Sequence, residues 1–316
     1  MSPKRRCPKT PAATPAELVT VRDLLRHAVR TFAAAKLAFG HGTDNARDEA
    51  AFLILEGLHL PIDRLEPVLE RKLSDGERRR LMELIQARVA TRKPAPYLLG
   101  RAYVGGVPFH VDERVIVPRS FIGEILRGPL FQGERAGLIG DAREVRRVLD
   151  LCTGSGSLAV LAARAFPQAR IDATEISAQA LTVARRNVAE SGAASRIRLL
   201  EGDLFAPVAG ERYDLILANP PYVDAAGMAA LPREHRHEPA LALDGGPDGL
   251  RLIRPILAQA PAHLTPKGGL LCEVGRGRVR LEAEFALPFL WLDTEASSGE
   301  VFWLEAEDFR PISPRI

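Results

Sequence analysis

Apolar residues recur at three- and four-residue intervals from Val21 through Leu24, Leu25, Ala28 and Val29 to Phe32, the repeat of a helix with one buried face. Thr20 and Asp23 have the spacing of a capping box at its start, and Gly40 and Gly42 are expected at its end. A second helix is predicted from about Asn45 to Leu58, stopping before Pro61. Ser74-x-x-Glu77 opens a third, with Leu81, Leu84, Ile85 and Val89 on one face and Pro94 and Pro96 closing it. The period then changes. Val107, Phe109 and Val111 alternate with other residues, and Val115-Ile116-Val117 follows the polar Asp112-Glu113-Arg114, a pattern that predicts a hairpin.

From Val145 onward the pattern is strand, Gly-rich turn, helix, strand, helix. The strand candidates are Val148-Leu149-Asp150-Leu151, Ile171-Asp172-Ala173, Ile197-Arg198-Leu199-Leu200, Leu215-Ile216-Leu217 and Leu270-Leu271-Cys272-Glu273-Val274. Helical stretches near residues 157–165, 178–190 and 250–263 separate several of them. Such alternation predicts an α/β fold, a mostly parallel sheet with helices on both faces. The expected organisation is a flexible tail over 1–17, a helical domain over 18–96, a hairpin linker over 97–120 and an α/β domain over 121–316.

Composition changes this picture little. A hydrophobic content of 46% and a charged content of 26% are those of an ordinary soluble globular protein, and a net charge of +3 is too small to imply a nucleic-acid partner. Cys7, Cys152 and Cys272 have no metal-like spacing and suggest no disulfide framework, so a reducing cytoplasm is the natural reading. Lys4-Arg5-Arg6 is followed by prolines and alanines rather than an apolar signal core. Cys152 and Cys272 read as small core residues, and Trp291 and Trp303 as core at the sheet's edge.

The chemistry gathers at predicted strand ends. Asp150-Leu151-Cys152-Thr153-Gly154-Ser155-Gly156 is a glycine turn between a strand and a helix, where a ligand can approach the backbone closely. It lacks the third glycine of the dinucleotide fingerprint and the Lys-Ser or Lys-Thr pair of a phosphate loop. Asp150 would repel a pyrophosphate, so a cofactor carrying an ammonium and a sulfonium suits the turn better. Glu175, ending the second strand, can accept ribose hydroxyls; equally, it stands where a helix dipole favours an acid. Asp203, after the third strand, can accept from an adenine amine or simply form a turn. Asn219-Pro220-Pro221-Tyr222 ends the fourth, and two prolines cannot extend a central strand. Four such features on one carboxyl edge point to a binding site. The His235-Arg236-His237-Glu238 cluster reads as a solvated loop shaping the cleft rather than a metal site.

Together, residues 150–156, Glu175, Asp203 and residues 219–222 resemble a Rossmann-like methyltransferase that uses S-adenosyl-L-methionine and acts on planar nitrogen. Asn-Pro-Pro-Tyr is shared by enzymes methylating the exocyclic amine of adenine and by those methylating the side-chain amide of protein glutamine. The helical N-terminal segment and the hairpin resemble the second group, the HemK-like glutamine methyltransferases, over roughly residues 20–310. Gly40-His41-Gly42-Thr43-Asp44-Asn45, the stretch from Asp112 to Pro118-Arg119-Ser120, and His235-Arg236-His237-Glu238-Pro239-Ala240-Leu241 resemble the ribosomal-protein branch. Ser157, where cysteine is frequent, and Ser297-Ser298-Gly299-Glu300, where the loop is usually richer in glycine, depart from the pattern.

The resemblance implies that Asn219, Pro220 and Tyr222 are catalytic and that Asn219, Pro220, Pro221 and Tyr222 receive the substrate amide. It implies that Asp150, Cys152, Thr153, Gly154, Ser155, Gly156, Glu175, Asp203 and Asn219 hold the cofactor, with no metal. The implied partner is a large-subunit ribosomal protein carrying the target glutamine. The basic cluster Lys4-Arg5-Arg6, apart from the resemblance, reads first as a solvated terminus and otherwise as a weak contact for ribosomal RNA or an acidic protein. Methylation of peptide chain release factors, adenine methylation in nucleic acid and a non-catalytic binding module are the alternatives.

Overall fold

The computed structural model describes residues 18–132, 137–294 and 298–309, so the expected tail over 1–17 lies outside the described residues. The chain divides into two compact units, Met1–Leu99 and Gly100–Ile316.

In the first unit, Thr20 opens helix α1 (Val21–Ala34) through a complete capping box with Asp23. Asn45 caps α2 (Ala46–Gly57) by accepting from the Arg47 and Asp48 amides, and Ser74 with Glu77 caps α3 (Asp75–Thr91). A short α4 (Ala95–Leu99) follows. The apolar stripe of α1 packs with Leu53 and Ile54 of α2 and Leu81 and Ile85 of α3 in one core. Within it Arg88, fully buried, donates to Glu49 at 2.5 Å and to the Ala38 carbonyl at 3.0 Å.

Two boundaries differ from the sequence expectation. Helix α1 ends before its glycines because Ala35 returns its N–H to Thr31 and Lys36 turns left-handed at φ 50. Pro94 and Pro96 do not close α3: Arg92, left-handed at φ 62, already stops it, and Pro96 sits inside the first turn of α4, where proline is tolerated.

The second unit opens with a hairpin of β1 (Arg101–Val104) and β2 (Val107–His110), joined at Gly105 and Gly106 with φ of 59 and 76. Positive φ at both central residues is the turn that matches the twist of paired strands. The hairpin therefore differs from the expected one. Arg101–Val104 is the partner of β2, and residues 115–117 form no strand, because the Val117 N–H goes to the Glu238 carboxylate at 3.0 Å.

After α5 (Ile122–Ile125) the expected alternation appears: β3 (Arg147–Leu151), α6 (Ser157–Ala165), β4 (Arg170–Glu175), α7 (Ala178–Glu190), β5 (Ile197–Glu201) and β6 (Tyr213–Ala218). The chain continues through α8 (Ala225–Ala230), α9 (Ile253–His263), β7 (Leu264–Glu273), α10 (Arg278–Glu284), β8 (Leu290–Leu292) and β9 (Val301–Glu305). The seven strands are ordered β5-β4-β3-β6-β7-β9-β8, with β3 to β7 parallel and β8 and β9 antiparallel at one end. Successive residues serve opposite faces: Val148, Leu215, Leu217 and Leu271 pack in the core under α6, and Leu149, Ile216, Ala218 and Leu270 in the core under α9. Burial on both faces explains why these strands read as continuous apolar runs. Trp303 on β9 is core as expected; Trp291 on edge strand β8 is only partly buried, with the Arg278 guanidinium 4.8 Å above its ring.

Gly269 on β7 lies beneath Trp303, and a Cβ there would stand 2.1 Å from two atoms of the indole. Gly269→Ala is expected to lower stability by about 2 kcal/mol through overpacking, read as an earlier urea midpoint. An unchanged midpoint would show that the indole gives way without cost.

Candidate active site

The carboxyl ends of the parallel strands meet where β3 pairs with β4 on one side and β6 on the other, the switch point at which open sheets of this kind hold ligands. Asp150 lies next to the end of β3, Glu175 ends β4, Asp203 follows β5, and Asn219 follows β6. The four features expected on one edge are there, and Glu273 at the end of β7 makes a fifth.

The glycine turn is held from three sides. Thr153 donates its N–H to the Thr174 carbonyl at 3.1 Å. The Glu175 carboxylate accepts from the Gly154 N–H at 2.9 Å and from the Ser177 N–H at 3.0 Å, so each oxygen keeps a lone pair. Buried Asn187 on α7 donates to the Ser155 carbonyl at 2.8 Å and the His110 carbonyl at 3.0 Å, which ties the turn to the hairpin. At Gly156 (φ 78) a Cβ would approach Ala184 to 3.3 Å, so this glycine serves helix packing. At Gly154 (φ 54) a Cβ would meet only the Cys152 carbonyl, at 4.0 Å, which leaves the backbone open to a ligand.

The electrostatics of the turn are strongly acidic. Asp150 is fully buried; its Oδ2 accepts from the Thr153 hydroxyl at 2.5 Å, while Oδ1 has no hydrogen-bond partner among the described residues. Burial pushes its carboxyl up to about 7, and the neighbouring Glu175 charge adds to this, against the Thr153 hydroxyl and the more distant Ala159 amide. Cys152 is only partly buried and lines the cleft, which corrects its placement in the core, whereas Cys272 is core as expected. The Cys152 sulfur nevertheless sits deep enough that loss of water raises its thiol, followed by the charges of Glu175, Asp150 and Asp203. Three acidic side chains thus act on one atom, a field that favours a cation. Asp203 itself is exposed beside the cleft, its carbonyl accepting from the Ala206 N–H at 2.9 Å.

Asn219 and Pro220 face the cleft lined by Cys152, Thr153 and Gly154. Neither the Asn219 carboxamide nor the Pro220 carbonyl has a hydrogen-bond partner among the described residues. The chain is caught again at Val223, which donates to the Leu243 carbonyl at 2.9 Å and accepts from the Gly245 N–H at 2.8 Å. Between these points Tyr222 passes so close to Gly245 and Gly249 that a Cβ on either would come within 2.7 and 2.6 Å of its backbone. Its ring lies on Gly275, and its hydroxyl donates to Glu273 at 2.8 Å. Burial, then the Glu273 charge, raises the Tyr222 phenol well above its usual range, so it is a neutral hydroxyl.

Residues 116–120 form another wall of the same cleft. Arg119 and Glu238 form a two-armed ion pair at 2.6 and 2.9 Å, and Glu238, buried, also takes the Val117 N–H. The loop expected to be solvated and to shape the cleft is so in part: Arg236 is exposed and His235 lines the cleft, but Glu238 is buried, its charge compensated by Arg119. Sequence reasoning missed Glu273, Asn187 and the Arg119–Glu238 pair. Glu273 stood inside an apolar run, and a charged residue there was the signal that could have found it.

Residues 139–232 match the family described as methyltransferase small domain. The ribosomal protein uL3 glutamine methyltransferase of Bradyrhizobium diazoefficiens is 56% identical over 306 residues, covering 96% of each chain. That of Bordetella pertussis is 52% identical over 292 residues, covering 92% of this chain and 96% of its own. A crystal structure of a methyltransferase from Pyrococcus furiosus aligns over 70% of this chain and 97% of its own, at 16% identity and a TM-score of 0.45.

Asp150 makes stability depend on pH with a definite sign. The buried acid keeps its proton up to about pH 7, whereas the unfolded chain releases it near pH ~4. Native stability from this group is present at low pH and lost as pH rises through that window. Asp150→Asn has no such proton, so its stability relative to the unaltered chain should rise between these values and level off above them. Urea unfolding across the range checks this; a constant difference would show that Asp150 ionises as a solvated acid does.

Proposed function

The chain belongs to the family of ribosomal protein uL3 glutamine methyltransferases, and on that premise we propose that it transfers a methyl group from S-adenosyl-L-methionine to the side-chain amide nitrogen of a glutamine in uL3. The observation that carries this reading is the pair of unengaged acceptors, the Asn219 side-chain oxygen and the Pro220 carbonyl, on consecutive residues that line one cleft. An amide has two N–H donors to offer such a pair.

The residues fit the cofactor. When bound, it supplies a methyl group activated on a sulfonium. The open backbone at Gly154 with Cys152, Thr153, Ser155 and Gly156, and the buried carboxyl of Asp150 with its unpartnered oxygen, suit a cationic amino-acid end. Glu175 retains the lone pairs to accept ribose hydroxyls, and Asp203 is exposed where a base amine can reach it.

An amide nitrogen is a poor nucleophile because its lone pair is shared with the carbonyl. Asn219 and Pro220, accepting its two hydrogens, turn that lone pair toward the methyl donor and stabilise positive charge as it grows on nitrogen. Such bonds strengthen in the transition state, and one preorganised partner is worth about 3 kcal/mol. Tyr222 packs its ring beside the amide and keeps water out, with Pro221 stiffening the approach. The nitrogen's surplus proton stays with the Asn219 and Pro220 acceptors until it passes to water.

Recognition of uL3 we assign to the helical domain over 18–96 and to the wall of residues 116–120, with 97–120 as the linker and 121–316 as the catalytic domain. The Lys4-Arg5-Arg6 cluster supplies charge for a weak, salt-sensitive contact with ribosomal RNA. No helix among the described residues is long and apolar enough to cross a membrane. A cytoplasmic site of action fits a ribosomal substrate.

Purified chain, S-adenosyl-L-methionine and unmethylated large subunits should give one added methyl on one uL3 glutamine by mass spectrometry. Methylation of release factor in its place would move the chain to the other branch. Asn219→Ala should lower kcat at least about a hundredfold while the cofactor Kd, by calorimetry, changes only a few-fold. Surviving activity would remove Asn219 from its role. Cofactor binding to the unaltered chain should tighten as pH rises toward about 7, since binding a cation favours ionised Asp150. A flat profile would exclude Asp150 from the cation's site.

A further inference from the structure

Glu273 is 1% exposed at the end of β7, yet it is a carboxylate. Three donors reach it. Tyr222 Oη–H bonds Oε1 at 2.8 Å, and the Ser120 hydroxyl at 2.6 Å and the Phe121 N–H at 3.0 Å bond Oε2. These donors come from two separate parts of the cleft, the exit of β6 and the Ser120–Phe121 wall. Burial, with a smaller push from the Glu300 charge, raises the Glu273 carboxyl, and the Ser120, Tyr222 and Phe121 donors offset only part of that rise.

An apolar residue of similar volume would fill this position at least as well, since burying a charge yields little net stability. What a carboxylate alone provides is acceptors on both sides. Glutamine could still accept from Tyr222, but its amide NH2 would then face the Phe121 N–H, donor against donor, since a backbone amide, unlike the Ser120 hydroxyl, cannot turn to accept. On its other side the Tyr222 ring has no slack, since a Cβ at Gly275 would come within 2.6 Å of Cε2.

We infer that Glu273 is a positioning residue for methyl transfer, locking the Tyr222 ring and the Ser120–Phe121 wall into one frame around the reacting amide, an inference that rests on the reading of the site given above. Glu273 does not touch the amide. It sets where Tyr222 lies relative to the acceptors Asn219 and Pro220, and it links that position to the wall that admits the substrate side chain.

The test uses Glu273→Gln, Tyr222→Phe and the double variant of the full chain. Each single change should lower kcat about tenfold, the weight of one hydrogen bond to a buried charge, with cofactor Kd within a few-fold of the unaltered chain. The double variant should be no slower than the slower single one. Losses that multiply would mean that the two residues act independently and would overturn the inference.

A second measurement is independent of turnover. With 3-fluorotyrosine in place of the 4 tyrosines, fluorine NMR gives a Tyr222 signal identified by its loss in Tyr222→Phe. Glu273→Gln should shift this signal and let the phenol ionise at lower pH, with Arg119 and Glu300 the remaining charges acting on it. The other tyrosine signals, unmoved, would report an intact fold. An unaltered Tyr222 signal and titration would overturn the inference. Lack of methyl transfer by the unaltered chain would instead sink the reading of the site and leave this contact tested.

Discussion

Proline has no amide hydrogen, and that single fact governs the arrangement of the site. Strand β6 runs through the middle of the sheet until Ala218, and then Pro220 and Pro221 offer its neighbours no N–H to continue the ladder. The chain must leave the ladder there, and it rejoins the fold only at Val223, through its hydrogen bonds with Leu243 and Gly245. The residues in between are outside the sheet but not loose. Pro220 therefore keeps a carbonyl that no strand has claimed, and Asn219 a carboxamide aimed out of the core. A more ordinary strand end would have spent both acceptors on its own backbone.

The site also holds three buried acids in three ways. Glu238 meets a guanidinium and a backbone amide, Glu273 meets two hydroxyls and an amide, and Asp150 meets one hydroxyl. Compensation falls in that order. Asp150, with an oxygen unpartnered and Glu175 nearby, is the one whose carboxyl rises to about 7. The well-compensated pair hold walls in place. The poorly compensated acid is the one next to an open backbone, where a ligand's charge can complete it.

Much of this was legible in the residues. The caps Thr20, Asn45 and Ser74, the glycine turn and the helices at 157–165 and 178–190 stand where local patterns put them, because each depends on neighbours close in sequence. The strand-end residues could be ordered along one edge for the same reason, since parallel strands share a direction. What escaped depends on distant partners. The hairpin pairs backward through Gly105 and Gly106, and a remote carboxylate, Glu238, takes the amide of Val117. Glu273 reads as one polar residue in an apolar strand until Ser120 and Tyr222 are brought to it. Cys152 looked like core because nothing local distinguishes a buried cysteine from one at the mouth of a cleft.

The close passage of Gly245 and Gly249 against the backbone of Tyr222 has a consequence in time as well as space. A chain synthesised from its N-terminus exposes Asn219 and its two prolines before either glycine has been made. Until residues 243–249 emerge and dock, the tetrapeptide has no surface to be pressed against and cannot hold its shape. Glu273 and Gly275 come later still. A partly made chain can bury much of the parallel sheet yet cannot present an assembled amide site, so the vectorial order of synthesis keeps the nascent chain inert until its last third is in place.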